Sequence, residues 1–513
     1  MLSIVDSGPP PPCPAPFNIA AYVLAAGERS PDRSALQVLR AGGAERYSYG
    51  ALAQAVRGTG TGLLEMGLKP GDRVLMRLAN SVDFPVLFLG AIAAGLVPVP
   101  SSAMLTAPEA SRICNEIAPA LIAAGPRVAL PENPPCPVIG PETLRAMRDL
   151  PPCAWHMGAP ERLGYIVYTS GTSGKPRAVC HAHRAVWARR MMWQGWYDLR
   201  EDDRLLHAGA FNWTYTLGTG LLDPWAIGAT ALIPAADVTP SMLPLLLKRF
   251  DATIFAAAPG VYRQMLKDVT APLTLPRLRH GLSAGEKLPE ATRTAWTRAT
   301  GTEVHEAFGM SECSTFLSGA PARPAPQGAS GYAQPGRHIA VLDPQGQPVP
   351  RGTPGVLAVH RDDPGLFLGY LGAETETRAR FAGDWFLTGD MAVMQDDGAV
   401  QYLGRDDDMM NAGGVRVSPL EIESVLNRHP AIAESAACEV EVKPDVTVIA
   451  AFYVPTTPGA EPDEQDLATF AAQSLARYKQ PRLYRRVDTL PRGPNNKLAR
   501  RKLRDGFAVE TGQ

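Results

Sequence analysis

The segment Gly164-Tyr165-Ile166-Val167-Tyr168-Thr169-Ser170-Gly171-Thr172-Ser173-Gly174-Lys175-Pro176-Arg177-Ala178-Val179-Cys180 constrains the fold more than any other stretch of the chain. Its apolar flanks read as two strands, with Ala178–Cys180 able to pair back on Gly164–Tyr168. Between them lies a turn of glycines, hydroxyls and two cations. Such a turn suits a polyphosphate: glycines let backbone N–H groups approach phosphate oxygens, hydroxyls add donors, and Lys175 and Arg177 offset negative charge. It is not a Walker loop, which has four residues between its glycines and Ser or Thr after the lysine. Here two residues separate Gly171 from Gly174, and Pro176 follows Lys175.

At 513 residues the chain exceeds one ordinary core, so two or more domains are expected. Strand and helix patterns alternate over the first four hundred residues. Ala51–Met66 predicts a helix stopped by Gly67, Arg73–Met76 a strand, Phe84–Ala94 a helix and Leu96–Val99 a strand. This rhythm implies α/β layers with largely parallel sheets. From about Gly328 the pattern changes to short strands and hairpins, with turns at Asp343–Gly346 and Asp397-Gly398. A new helical unit opens at Ser418-Pro419-Leu420-Glu421, a capping-box pattern with Pro at the first helical position, and Ile422, Val425 and Leu426 share one face. Met1–Pro16 reads as a flexible Pro-rich lead-in.

Fifty basic against 51 acidic residues give a formal charge of −1, so nothing global points to nucleic acid or an anionic membrane. No apolar stretch is long enough to span a bilayer, and the N-terminus lacks the basic and apolar regions of a secretory signal. The 7 cysteines are scattered without a CxxC pair, which suits a reducing compartment and argues against a disulfide framework or a zinc site. A cytoplasmic location is expected.

Further motifs follow in order. Leu282-Ser283-Ala284-Gly285-Glu286 has the small residues of a strand ending in a tight turn. Glu306-Ala307-Phe308-Gly309-Met310-Ser311-Glu312 places an aromatic, a hydroxyl and a carboxylate close together. Trp385-Phe386-Leu387-Thr388-Gly389-Asp390 reads as a strand ending in Asp, a bidentate acceptor for a diol such as ribose. Gly404-Arg405-Asp406-Asp407-Asp408-Met409, Gly413-Gly414-Val415-Arg416-Val417 and Leu490-Pro491-Arg492-Gly493-Pro494-Asn495-Asn496-Lys497-Leu498 complete the set.

Taken together, these motifs resemble those of the adenylate-forming (AMP-binding) superfamily: acyl-CoA synthetases, peptide-synthetase adenylation domains and luciferases. The resemblance runs from about Phe17 to Arg504, and it inclines toward medium-chain and benzoate-type carboxylate–CoA ligases. It implies a large N-terminal domain of layered α/β subdomains plus a β-barrel-like region, residues 17–405. A small mobile α+β domain, 406–513, would follow it. It also implies that Thr169, Ser170, Gly171, Thr172, Ser173, Gly174 and Lys175 cradle the phosphates of ATP, and that Ala284, Gly285 and Glu286 line the adenine and acyl pocket. Phe308, between Ala307 and Gly309, would stack on adenine, Ser311 would reach the α-phosphate, and Glu312 would hold Mg²⁺. Asp390 and Arg405 would hold the ribose and phosphate side, with Asp407 as the hinge. Gly413 and Gly414 would admit the CoA thiol arm, and Lys497 would contact the carboxylate and α-phosphate. Asn496 stands where the family usually has Gly, and Asn tolerates left-handed backbone better than most residues.

An acyl pocket is expected at Phe211, Asn212, Trp213, Tyr215, Gly309 and Met310; an equally open reading is that these aromatics pack the core. His183 reads as a helix-start or packing residue. The implied reaction is ATP-dependent ligation of a small aryl or short- to medium-chain acid to CoA through an acyl-AMP, by a monomer or homodimer. Loading of a carrier-protein phosphopantetheine is the alternative.

Overall fold

The computed structural model describes residues 1–8, 10–169, 177–412, 415–443, 446–457, 459–460, 462–493 and 498–510. They divide into two compact units. The larger comprises Val5–Ile339 and Val359–Phe386; the smaller comprises Met1–Ile4, Ala340–Ala358 and Leu387–Gln513.

The larger unit is built on a nine-stranded sheet. Its order is Tyr332–Ala333, Ser314–Ser318, Val304–Met310, His280–Ala284, Ile254–Ala257, Arg204–His207, Thr230–Pro234, Ser34–Arg40 and Gly43–Ser48. The six strands from Val304–Met310 to Ser34–Arg40 are parallel, and the edges are antiparallel. Parallel strands need both faces covered, which explains why Ile254–Ala257 and Thr230–Pro234 are buried throughout. On one side Leu206, Leu232, Phe255, Tyr262 and Trp296 form a continuous core.

A four-stranded parallel sheet (Val97–Pro100, Arg73–Arg77, Leu121–Ala124, Val138–Ile139) carries the predicted strand–helix alternation. The helix Tyr49–Glu65 is capped by Ser48, whose hydroxyl accepts from the Ala51 N–H. Interior glycines cost a helix about 1 kcal/mol each relative to Ala, yet this helix contains Gly58, Gly60 and Gly62. A methyl group on Gly62 would come within 2.4 Å of the Met147 side chain, and one on Gly58 within 2.7 Å of the Arg148 carbonyl. Close packing is the reason these positions lack side chains. The helix Asp83–Ala93 is buried on nearly every side.

A third sheet matters most for the site. Leu163–Thr169 and Arg177–Ala182 form an antiparallel hairpin, as the sequence predicts, and Gly369–Tyr370 adds a third strand beside Arg177–Ala182. Ile166, Ala178 and Cys180 pack with Leu75, Val99, Ile113 and Ile122, which fixes the hairpin on the four-stranded sheet.

In the smaller unit the residues Met1–Ile4 are tied to later strands. The Ser3 N–H donates to the Val349 carbonyl at 2.7 Å, the Val341 N–H donates to Ser3 at 2.9 Å, and Ser3 is fully buried. The strand expected to end at Asp390 runs on to Met394 and pairs with Val400–Arg405. The helix Pro419–Leu426 starts where predicted, but Ser418 makes no capping-box bond. Its hydroxyl donates instead to the Leu403 carbonyl, and Glu421 pairs with Lys479 at 2.6 Å.

The C-terminal sheet pairs Ile432–Lys443 antiparallel to Val446–Pro455, which lies parallel to Leu483–Arg486. Strand alternation sends Ala436, Cys438, Val440, Ala450 and Phe452 to one face, packed with Leu503 and Phe507. Ala437, Ile449, Ala451 and Tyr453 go to the other, against Ile422, Leu426 and Leu467.

Candidate active site

In the larger unit, Thr169 is the last residue of its strand and faces Arg177 in register. Ser170, Gly171, Thr172, Ser173, Gly174 and Lys175 lie outside the described residues. Arg177 does not serve as the second free cation expected from the sequence. Its Nε bonds the Glu376 carboxylate at 2.6 Å, which fastens the exit strand to the helix Glu374–Ala379.

The strand Val304–Met310 carries the second motif. A bulge between Phe308 and Gly309 and a left-handed Ser314 (φ 61°) turn the chain sharply at Met310–Ser314. A Cβ on Gly309 would fall 2.2 Å from the Ser314 carbonyl, so only Gly fits there. Phe308 is half-buried and packs edge-on against Phe316 at 5.6 Å.

Glu312 is 8% exposed. One carboxylate oxygen accepts from the Tyr370 hydroxyl at 2.7 Å, and its carbonyl accepts from the Phe367 N–H at 2.7 Å. Burial and the adjacent carboxylate push the Tyr370 hydroxyl far up, which keeps it a donor. Ser311 is held by its carbonyl, 2.8 Å from His181 Nε2. Burial lowers His181 to about 4, so the ring is neutral near pH 7 and Nε2–H donates. Tyr165 stacks on this ring at 4.9 Å and 16°.

The predicted acyl-pocket residues separate into two groups. Phe211 is core, stacked on Phe84 at 5.1 Å. Tyr215 is core too, its hydroxyl donating to the Leu282 carbonyl at 3.1 Å. Asn212, Trp213, Gly309 and Met310 retain partial exposure. The Trp213 indole lies against the turn after His280–Ala284, where a Cβ on Gly285 (φ +95°) would sit 2.5 Å from it. Ala284 and Ala307 are buried partners across the sheet, and Glu286 follows the turn.

Behind this region the chain makes two π-helical segments, Trp193–Tyr197 and Thr216–Leu222, the second running directly into the α-helix Asp223–Ile227. A buried ion pair joins them. Arg189 meets Asp223 through two bonds of 2.8 and 2.6 Å, and the Tyr197 hydroxyl donates to Asp223 at 2.8 Å. Arg189 also reaches the Ser314 hydroxyl, tying these helices to the Glu312 turn. With His181, Thr214 and Ser311 it lines a cavity of about 20 Å³, room for a single water. His183 precedes a helix and accepts from the Ile19 N–H at 3.2 Å, the packing role predicted for it.

In the smaller unit, Asp390 and Arg405 are cross-strand partners, 3.3 Å apart at Oδ1 and Nη1. Arg405 also donates to the Thr388 carbonyl at 3.1 Å, and the Asp390 N–H donates to the Thr388 hydroxyl at 3.1 Å. Asp407 belongs to the turn Asp406–Asp408, and its side chain lies outside the described residues. So do Gly413 and Gly414, flanked by the paired strands Met410–Ala412 and Val415–Val417. Lys497 is outside them as well.

Among the described residues no cluster of three or more His, Cys, Asp or Glu side chains forms a ready metal cage. A single buried carboxylate with an oxygen to spare fits Mg²⁺, which usually binds through one or two carboxylates plus substrate phosphates. Neither His181 nor Tyr370 carried a local sequence signal; both look like strand residues, and Tyr370 lies 58 positions from its partner.

A family model described as AMP-binding enzyme matches residues 24–371, and one described as AMP-binding enzyme C-terminal domain matches 421–497. Benzoate–CoA ligase of Thauera aromatica is 31% identical over 484 residues, covering 89% of this chain and 90% of that protein. The human mitochondrial acyl-coenzyme A synthetase ACSM2A is 27% identical over 531 residues, covering 96% and 91%. Among solved structures, the anthranilate CoA ligase AuaEII in complex with anthranoyl-AMP superposes with a TM-score of 0.87 at 25% identity, covering 98% of this chain and 99% of that one.

Proposed function

The chain belongs to the AMP-binding enzyme family, the AMP-forming acid–thiol ligases, with that family's large N-terminal and small C-terminal domains, and we propose that its substrate is an aryl or short- to medium-chain carboxylic acid. The acid becomes an acyl-AMP with release of pyrophosphate, and the acyl group then passes to CoA with release of AMP. The observation that carries this reading is the Glu312 carboxylate, buried, held at one oxygen by Tyr370 and set in a turn whose Ser311 carbonyl is held by His181. The activities for which the relatives are named, benzoate and anthranilate ligation, support the aryl choice. The half-exposed Trp213 supports it too, as a flat wall for a small acid.

In this reading a carboxylate oxygen attacks the α-phosphorus of ATP, and the bond to the bridging oxygen of pyrophosphate breaks. Glu312 would hold Mg²⁺, which when bound supplies positive charge to the phosphates. Ser311 donates to the α-phosphate, and the Thr169–Lys175 loop receives pyrophosphate. Asp390 accepts the ribose hydroxyls, and Arg405 keeps that carboxylate in place. Lys497 neutralises the carboxylate and α-phosphate during adenylation. The small domain, 406–513, then turns about Asp407 so that Gly413 and Gly414 admit the thiol, which attacks the acyl carbon as AMP leaves.

Pyrophosphate release measured over a panel of aryl and aliphatic acids, with Mg-ATP and with or without CoA, tests this directly. CoA-dependent turnover on benzoate-like or short- to medium-chain acids is expected. Turnover that requires a phosphopantetheinyl carrier protein, or confined to long-chain acids, overturns it.

A further inference from the structure

Glu312 is gripped from one side by a single short segment. The Phe367 N–H bonds its carbonyl, and three residues later the Tyr370 hydroxyl bonds its carboxylate Oε1, both at 2.7 Å. Tyr370 itself has little freedom. Its backbone pairs with Val179 on the strand leaving the phosphate loop, and its N–H donates to Thr377 Oγ1 at 3.0 Å. Its ring packs on Phe367 at 5.0 Å. Two positions along that same strand from Val179, His181 holds the neighbouring Ser311 carbonyl. Among the described residues nothing else bonds the Glu312 carboxylate, so its second oxygen is the one presented outward.

We infer that Tyr370 is a positioning residue for the reaction: by fixing Oε1 it aims Oε2 of Glu312 at the Mg²⁺ of Mg-ATP, and it indexes that oxygen to the strand carrying the phosphate loop. The inference rests on the reading of Glu312 as the Mg²⁺ anchor. The terminal torsion of a glutamate is broad and nearly two-fold, so a carboxylate without this bond would sample orientations in which neither oxygen meets the metal. Partners that orient a metal ligand are worth about 10- to 100-fold in metal affinity or activity.

The test uses the full-length enzyme and three variants, Tyr370→Phe, Glu312→Gln and the double variant. Four quantities are measured: the free Mg²⁺ giving half-maximal ATP–pyrophosphate exchange, calorimetric binding of a non-reactive ATP analogue with Mg²⁺ or with EDTA, KM for the acid, and the melting temperature. Tyr370→Phe keeps the ring and its packing. It is expected to raise the half-saturating Mg²⁺ about 10- to 100-fold, to weaken analogue binding only when Mg²⁺ is present, and to leave KM for the acid unchanged. The double variant is expected to be no worse than Glu312→Gln alone, because Tyr370 acts through that carboxylate. A normal Mg²⁺ requirement in Tyr370→Phe beside a shifted one in Glu312→Gln overturns the inference and spares the site. Equal weakening of analogue binding with Mg²⁺ and with EDTA, together with a lowered melting temperature, also overturns it by showing a general packing role. An unshifted Mg²⁺ requirement in Glu312→Gln overturns the anchor reading itself, and the inference with it.

Discussion

Asp390 and Arg405 stand opposite one another on adjacent antiparallel strands, a guanidinium nitrogen 3.3 Å from a carboxylate oxygen. The left-handed Gly389 (φ 75°) re-aims the strand just before Asp390, and the Thr388 hydroxyl takes the Asp390 N–H. The acid is therefore oriented before any ligand arrives. Asp390→Asn keeps the shape while removing the charge and one acceptor. Hydrogen bonds to a charged group are worth about 1.5–3 kcal/mol, so KM for ATP should rise roughly 10- to 100-fold with KM for the acid unchanged. Initial rates of ATP–pyrophosphate exchange check this, and an unaltered KM for ATP would remove Asp390 from the nucleotide site.

In the proposed reaction the Trp213 indole, lying against Gly285, forms part of the acid-binding wall. Trp213→Ala should move preference toward bulkier acids, by about 10-fold or more in the ratio of kcat/KM values. Gly285→Ala should do the opposite to the protein's economy of space. It places a methyl group 2.5 Å from the indole on a left-handed backbone, a conformation that costs an L-residue about 1–2 kcal/mol before any clash. Acid-panel kinetics and melting temperatures of the two variants separate these effects.

The buried Arg189–Asp223 pair gives a test with a built-in control. Removing one partner strands a desolvated charge and typically costs about 3–5 kcal/mol, whereas an apolar replacement of both can be nearly neutral. Arg189→Met and Asp223→Leu should each shorten the half-life at elevated temperature sharply. The double variant should recover much of that loss, and a double variant worse than either single one would refute the account.

Stability should fall as the solution is acidified below about pH 6.5. Burial holds His181, His280 and His305 at about 4 and His183 and His207 at about 3, against 6.5 in the unfolded chain. Between those values the unfolded chain binds protons that the folded protein refuses. Each such histidine therefore favours unfolding by about 1.4 kcal/mol per pH unit as pH drops. Melting temperatures across pH 4.5–7 are expected to decline steeply, and more shallowly in His305→Gln. A flat profile would show that these rings are protonated in the fold.

The sequence was most informative where function demands particular residue types close together. The hairpin around the phosphate loop, the Ala284-Gly285 turn and the Phe308–Glu312 segment appear where they were expected, because strand periodicity and glycine placement are local signals. Tertiary partners were invisible. Phe211 and Tyr215 look like pocket aromatics, but only Phe84 and the Leu282 carbonyl reveal them as core. Arg177 looks like a phosphate cation until Glu376, from 199 residues away, claims it. Ser418 has a capping sequence, yet the Leu403 carbonyl, on the strand Val400–Arg405, offers its hydroxyl a competing acceptor. Each difference comes from a partner that no local pattern encodes.

The C-terminal sheet carries a consequence of a different kind. Its two faces are both covered from within the chain's last hundred residues, one by the helices holding Ile422 and Leu467 and the other by the helix holding Leu503 and Phe507. Most of this sheet's packing is thus drawn from nearby in the chain, with the Ser418 hydroxyl on the Leu403 carbonyl as a tie to the preceding hairpin. Trp213 packs against a separate core, so substitutions that reshape its surroundings leave the contacts of this sheet unchanged.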